Sequence, residues 1–207
     1  DQGERVQGIV KDLENNMLSG FVLVFLVLLL VMGISNALLV AIAIPLSFLL
    51  SMIILNVMGF TLNIVVLFSL ILSLGLLVDN AIVIVENIFR HRQAGKNRIE
   101  AAVLGTKEIA IPVTTSTITT IAAFFPLIFM PGIAGEFISF LPKTLIVTLS
   151  SSLLVAVVIN PVLCSTLMRV KVRKGITADF DELKLVEQSR ILIVYQSVLR
   201  RVLRFRF

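Results

Sequence analysis

One carboxylate, Asp79, stands where a charge demands a chemical explanation. It is the first formally charged residue after an uncharged run over residues 15–78, and it lies in the stretch G-L-L-V-D-N-A-I-V-I-V-E-N at positions 75–87. The basic cluster that ends this stretch opens at Arg90. At about 1.5 Å per helical residue, Asp79 sits about 16 Å before it, close to the middle of a ~30 Å hydrocarbon core. An ionisable group is costly at that depth, so its default reading is functional, the alternative being a structural polar contact between helices. A carboxylate with a movable cationic partner can alternate between a loaded and an empty state. The apolar segments of this chain contain no Lys or Arg, so Asp79 must be neutral, hydrated or paired from outside.

The residues around it have both a chemical and a structural reading. Asn80 supports the proton relay at Asp79 or acts as an interhelical amide contact, which contributes ~0.6 kcal/mol on average in membranes. Glu86 and Asn87 follow seven residues later, two helical turns on and on nearly the same faces. Glu86 is expected to anchor the cytoplasmic end or pair with a basic residue, the alternative being a second proton carrier. The hydroxyl run Thr114, Thr115, Ser116, Thr117, Thr119 and Thr120 either lines a water path beside Asp79, with Thr115 and Thr119 as its supporting residues, or packs closely and bonds back to its own helix. His91, inside the basic cluster, reads as solvated. The single cysteine, Cys164, lies in an apolar run and reads as a small packing residue. No metal or cofactor site is expected.

These residues have to be held by membrane helices. The chain has 207 residues, of which 57% are hydrophobic and 15% charged, with a mean hydropathy of +1.03, well outside the soluble range. Its apolar runs are continuous and of helix length, which excludes the short alternating strands of a barrel. The formal net charge of +5 does not point to nucleic acid, because the basic residues flank apolar spans and positive-inside topology accounts for them.

Residues 1–16 are polar and lead into the membrane, so the chain reads as beginning inside a larger domain. Residues 15–78 as one helix would be about 96 Å long, three times the core thickness, and must fold back. Turn residues at 33–36 and 58–63 divide them. The expected spans are 17–35, 37–58, 61–89, 109–130 and 145–168, with a kink at Pro45, a turn at Pro131, Gly132 and Gly135, and an interruption at Pro161. Two basic segments, Arg90 to Lys107 and Arg169 to Lys174, place both loops in the cytoplasm. Residues 169–207 read as a basic, amphipathic helix on the cytoplasmic surface, leading toward a further span. The expected fold is all-α: a polytopic membrane bundle of five transmembrane helices plus that surface helix.

At the level of motifs the chain resembles a known family. The stretch at positions 75–88 is similar to the signature of the fourth transmembrane helix of resistance-nodulation-division (RND) efflux transporters. A-I-P at 43–45, G-F-T-L-N at 59–63, M-P-G-I-A-G-E-F at 130–137 and N-P-V-L-C at 160–164 resemble that family too, in the same order. By this resemblance the chain corresponds to helices two to six of the N-terminal half, followed by the cytoplasmic surface helix. Helix one, both periplasmic domains and the second half lie outside it.

The resemblance implies a permease of the multidrug type in the bacterial inner membrane: a proton antiporter that exports drugs or other amphiphiles. Asp79 matches the first carboxylate of the family's helix-four pair, and Asn80 stands where many drug exporters have the second, which leaves one titratable group. The cation that pairs with it belongs to the second half. The implied partners are membrane lipids, the rest of the same polypeptide, two further copies in a homotrimer, a periplasmic adaptor and an outer-membrane channel. Metal- or lipid-exporting relatives, sodium in place of protons, and a membrane segment without activity of its own remain alternatives. An intramembrane aspartyl protease fits poorly, since it needs two deep carboxylates and no other span contains an Asp.

Overall fold

The computed structural model describes residues 2–61, 63–168, 198–201 and 203. Five α-helices account for nearly all of them: α1 (Gln2–Val57), α2 (Ile64–Gln93), α3 (Arg98–Phe124), α4 (Gly132–Leu154) and α5 (Asn160–Leu167). A 3₁₀ turn (Phe125–Phe129) follows α3, and a π-helical turn (Val155–Ile159) joins α4 to α5. Four stretches are long and apolar enough to cross a membrane: Leu18–Val57, Ile64–Gln93, Arg98–Phe129 and Gly135–Leu167. The protein is a membrane helical bundle.

α1 is not one straight rod. Gly33 has φ 75 and ψ 166 in the middle of it, a backbone region reserved in practice for glycine. A Cβ placed on Gly20 would lie 3.0 Å from Leu74 Cδ2, so Gly20 sits beside the middle of α2. Along a straight helix Gly20 would be about 56 Å from Val57, whereas Leu74 is only about 15 Å from the start of α2. Both positions hold only if the chain doubles back, and Gly33 is where it does so. The next reversal uses Gly59 (φ 76), with Phe60 N–H on Leu55 O at 3.0 Å. Asn63 then caps α2 by accepting from Val66 N–H at 2.9 Å.

The helices outrun the apolar spans expected from the sequence. α3 begins at Arg98, capped by Asn97, which accepts from Glu100 N–H at 2.8 Å. α4 begins at Gly132, so Gly135 lies within a helix and not in a turn. A Cβ there would come within 1.9 Å of Met130 O, which is why the close approach of that carbonyl needs glycine. Hydropathy marks only the part of a helix that meets lipid, and capping carries the backbone on into the polar zone. Pro45 lies inside α1, yet Gly33 is the one residue in that helix with non-helical angles. The break at Pro161 appears as the π-helical turn that ends beside it. The surface helix expected over 169–207 lies almost wholly outside the described residues.

α2 is the hub and packs on α1, α3 and α4. Its buried face, including Leu70, Leu77, Ile84, Val85 and Ile88, meets Ala37, Val40 and Ile44 of α1 and Val155 and Ala156 of the π turn in one core. Small residues allow close approach between helices in lipid, and several of their hydroxyls bond back to their own helix. Ser47 donates to Ala43 O at 2.8 Å, Ser51 to Ser47 O and Ser69 to Val65 O, both at 2.6 Å. Ser152 instead crosses to α2 and donates to Leu77 O at 2.8 Å.

Candidate functional site

Asp79 is the 16th of the 30 residues of α2, about 22 Å from either end of the helix. Asp79 thus lies at mid-helix. Its direction is the new information. Ile64, Phe68, Leu72, Gly75, Asp79, Val83, Glu86 and Arg90 are all exposed and recur every three or four residues, so they form one open stripe along α2. Asp79 lies at the centre of that stripe and, among the described residues, makes no hydrogen bond or ion pair. One turn before it, a Cβ on Gly75 would meet nothing within 4 Å, so the stripe has a notch beside the acid.

Asn80, one residue on, points the other way, into the seam between α2 and α3. Thr117, only 4% exposed, shares its hydroxyl between Val113 O at 3.0 Å and Asn80 Oδ1 at 3.2 Å. Adjacent side chains of one helix thus divide the work: Asn80 holds α2 against α3, and Asp79 faces outward. Thr117 is the member of the hydroxyl run that touches the pair, and it was not among the residues singled out by spacing. Thr115 and Thr119 are exposed and bond back to Ile111 O and Thr115 O, each at 2.9 Å. α3 as a whole is open, with only Ala101, Ala102, Gly105, Val113 and Thr117 buried. Thr115, Ser116 and Thr119 are exposed while Thr117 is buried, and helical periodicity alone did not tell which of them turned inward.

The C-terminal end of α2 departs from the sequence expectations in two ways. Glu86 is exposed and, among the described residues, has no ion-pair partner: it lies on the open stripe, away from the seam that gathers the polar contacts. His91 is not free in solvent. Glu108 of α3 meets it at 2.9 Å from Nε2, and Lys96 Nζ approaches Nδ1 at 2.9 Å. Asn87 completes the group, its Nδ2 donating to Gly105 O at 2.8 Å and to Glu108 Oε2 at 3.0 Å. Glu108, missed by the sequence reading because it falls just outside the expected span, joins two of the residues that reading named.

Among the described residues, no three His, Cys, Asp or Glu side chains converge as metal ligands do. What the region offers chemically is one carboxylate in the middle of a long apolar helix, on a face that none of the other described residues covers. A carboxylate cannot be left facing lipid tails without cost, about 3 kcal/mol for Asp at a helix centre on insertion scales.

The comparisons with known proteins agree with the motifs. Residues 1–207 match the AcrB/AcrD/AcrF family. An uncharacterized transporter of Haemophilus influenzae is 39% identical over 148 residues, 71% of this chain and 14% of the relative. The multidrug resistance protein MdtC of Citrobacter koseri is 32% identical over 170 residues, 82% of this chain and 16% of the relative. MdtC of Shigella flexneri is 31% identical over the same length, with 17% of the relative covered. The chain thus spans about one sixth of the length of the relatives it matches. With a bundle of long apolar helices and this match along its whole length, the chain belongs to the AcrB/AcrD/AcrF family of RND permeases, multi-pass proteins of the inner membrane.

Proposed function

We propose that these residues form the proton-coupling part of an RND-type antiporter that exports drugs or other amphiphiles from the inner membrane or periplasm. The observation that carries this reading is Asp79, an acid at mid-helix on the uncovered stripe of α2, with Gly75 leaving room beside it. A helix from the part of the polypeptide beyond this chain closes against the stripe and brings a cation toward the carboxylate. With the cation close, Asp79 is charged and empty. With the cation withdrawn, the charged form is too costly and the acid takes up a proton. Substrate movement belongs to domains outside these residues, and the helix rearrangement driven by Asp79 couples the two.

Asn80 restricts the stoichiometry. Its amide does not titrate at any working pH and its oxygen accepts from Thr117, so this pair of positions moves one proton per cycle. The multidrug name of the MdtC relatives supports drugs as cargo. We extend the same reading to a homotrimer with a periplasmic adaptor and an outer-membrane channel, embedded in membrane lipid and spanning it five times within these residues.

The test is Asp79→Asn in the full-length protein. Drug tolerance is expected to fall to that of cells without the transporter, with expression and trimer assembly unchanged. Export at the parental level would remove Asp79 from the mechanism. The 207-residue chain alone, reconstituted in vesicles, is expected to show no substrate-dependent proton flux, because the family resemblance puts the substrate pocket and the paired cation in other parts of the polypeptide.

A further inference from the structure

Below the Asp79 level, α2 and α3 are joined by contacts that the proton reading does not use. Two of them meet on one carboxylate. Glu108 Oε2 accepts from Asn87 Nδ2 at 3.0 Å and lies 2.9 Å from His91 Nε2, while Asn87 also donates to the backbone carbonyl of Gly105, one turn away on α3. Lys96, in the turn between the helices, donates from Nζ to His91 Nδ1. An ammonium has no lone pair, so Nδ1 must be the acceptor and Nε2 must carry the hydrogen that points to Glu108. These contacts hold the imidazole in one orientation. The charged groups around it are Lys96 from the turn, Glu108 from α3, and Arg90 and Arg92 on its own helix, with Arg92 Nη1 donating to Lys96 O at 2.6 Å.

The backbones touch at the same place. A Cβ on Gly105 would lie 2.8 Å from Ile88 Cα and 2.9 Å from Ile88 N, so α3 rests directly on the main chain of α2. Together with Thr117 and Asn80 at mid-span, these contacts fasten the cytoplasmic half of α2 to α3.

We propose that Glu108 is a positioning residue for the helix that carries Asp79: through Asn87 and His91 it locks α2 to α3, and the two helices shift as one body when the charge on Asp79 changes. Glu108 itself exchanges no proton in the cycle. The inference rests on the reading of Asp79 as the proton carrier. Because both contacts converge on a single oxygen, a glutamine whose carbonyl oxygen takes that place keeps both bonds and discards the charge. An alanine discards both bonds.

The experiment compares Glu108→Ala and Glu108→Gln in the full-length transporter, with turnover normalised to assembled protein. A loosened lock wastes the shift of α2, so turnover in Glu108→Ala falls about tenfold while KM for the exported drug stays put, and Glu108→Gln keeps turnover within about threefold. The midpoint of the external pH profile stays at the parental value in Glu108→Gln. Hydrogen exchange gives a readout independent of transport: amides of residues 90–97 exchange faster in Glu108→Ala, and those of residues 66–78 do not change. If Glu108→Ala does not assemble, Asn87→Ala takes its place. Parental turnover in the alanine variant overturns the proposal, as does a glutamine variant as impaired as the alanine one, since that makes the charge itself the requirement. Asp79→Asn run alongside separates the two readings. Transport in Asp79→Asn defeats the carrier reading, whereas an inactive Asp79→Asn with a normal Glu108→Ala defeats only the positioning role.

Discussion

The α2–α3 crossing at Gly105 gives a prediction whose magnitude follows from the structure. In Gly105→Ala the added Cβ would sit 2.8 Å from Ile88 Cα, 2.9 Å from Ile88 N and 3.1 Å from Ile88 Cγ1. Ordinary carbon contacts lie at about 3.5–4.0 Å, so the helices must separate by about 0.7–1 Å. The nearest atoms are backbone and have no rotamer to escape into. Overpacking of this kind costs about 1–3 kcal/mol. Separation also stretches the Asn87 bond to Gly105 O, now 2.8 Å, and a polar interhelical contact in a membrane is worth about 0.6 kcal/mol. Against this, alanine is the better helix former by about 1 kcal/mol. The net expectation is a destabilisation of about 1–2 kcal/mol, measured by denaturant titration of the full-length protein in bicelles. Ser116→Ala, on an exposed face of the same helix, is the control and should stay within about 0.5 kcal/mol of the parent. A Gly105→Ala protein as stable as the parent would refute the backbone contact and with it the claim that α2 and α3 move together.

Other expectations follow from the same geometry. Gly75→Leu should leave the stability of the 207-residue chain unchanged, since nothing lies within 4 Å of its Cβ position, yet abolish export by the full-length protein by filling the notch beside Asp79; normal export would mean that no helix closes there. Thr117→Val removes the bond to Asn80 Oδ1 and should cost about 0.6 kcal/mol in the same titration, a null result pointing to an amide satisfied elsewhere. Gly33→Val, at φ 75 and ψ 166, should cost about 1–3 kcal/mol and reduce the yield of assembled protein; a fully stable variant would show that the reversal is built without that residue.

What the sequence made legible was whatever depends on counting along the chain. Hydropathy and the basic clusters placed the membrane segments, and residue spacing put Asp79 at mid-helix, where it stands. The reversal in α1 was predictable because no bilayer accommodates its length and because Gly33 lies where a break is needed. Direction was harder to read. Neighbours such as Asp79 and Asn80 point to different sides of α2, and only the packing of α3 against the buried face decides which of them is held. The same holds for the hydroxyl run: its members differ by single positions, and Thr117 lies on the buried side of α3 with Val113 and Gly105, one and three turns away, of which Gly105 meets Ile88 of α2. The role of Glu108 was hidden by its place at the edge of a span, where hydropathy places a boundary and the helix in fact continues. His91 looked like one more solvated base because its partner lies 17 positions away in the chain.

The central claim is that one acid on the open stripe of α2 carries the coupled proton. The measurement that bears on it most directly is substrate-driven proton movement across proteoliposomes containing the full-length transporter, with and without Asp79→Asn. The account predicts a drug-dependent pH change in the parent and none above background in the variant. An equal pH change in both would place the coupling site elsewhere.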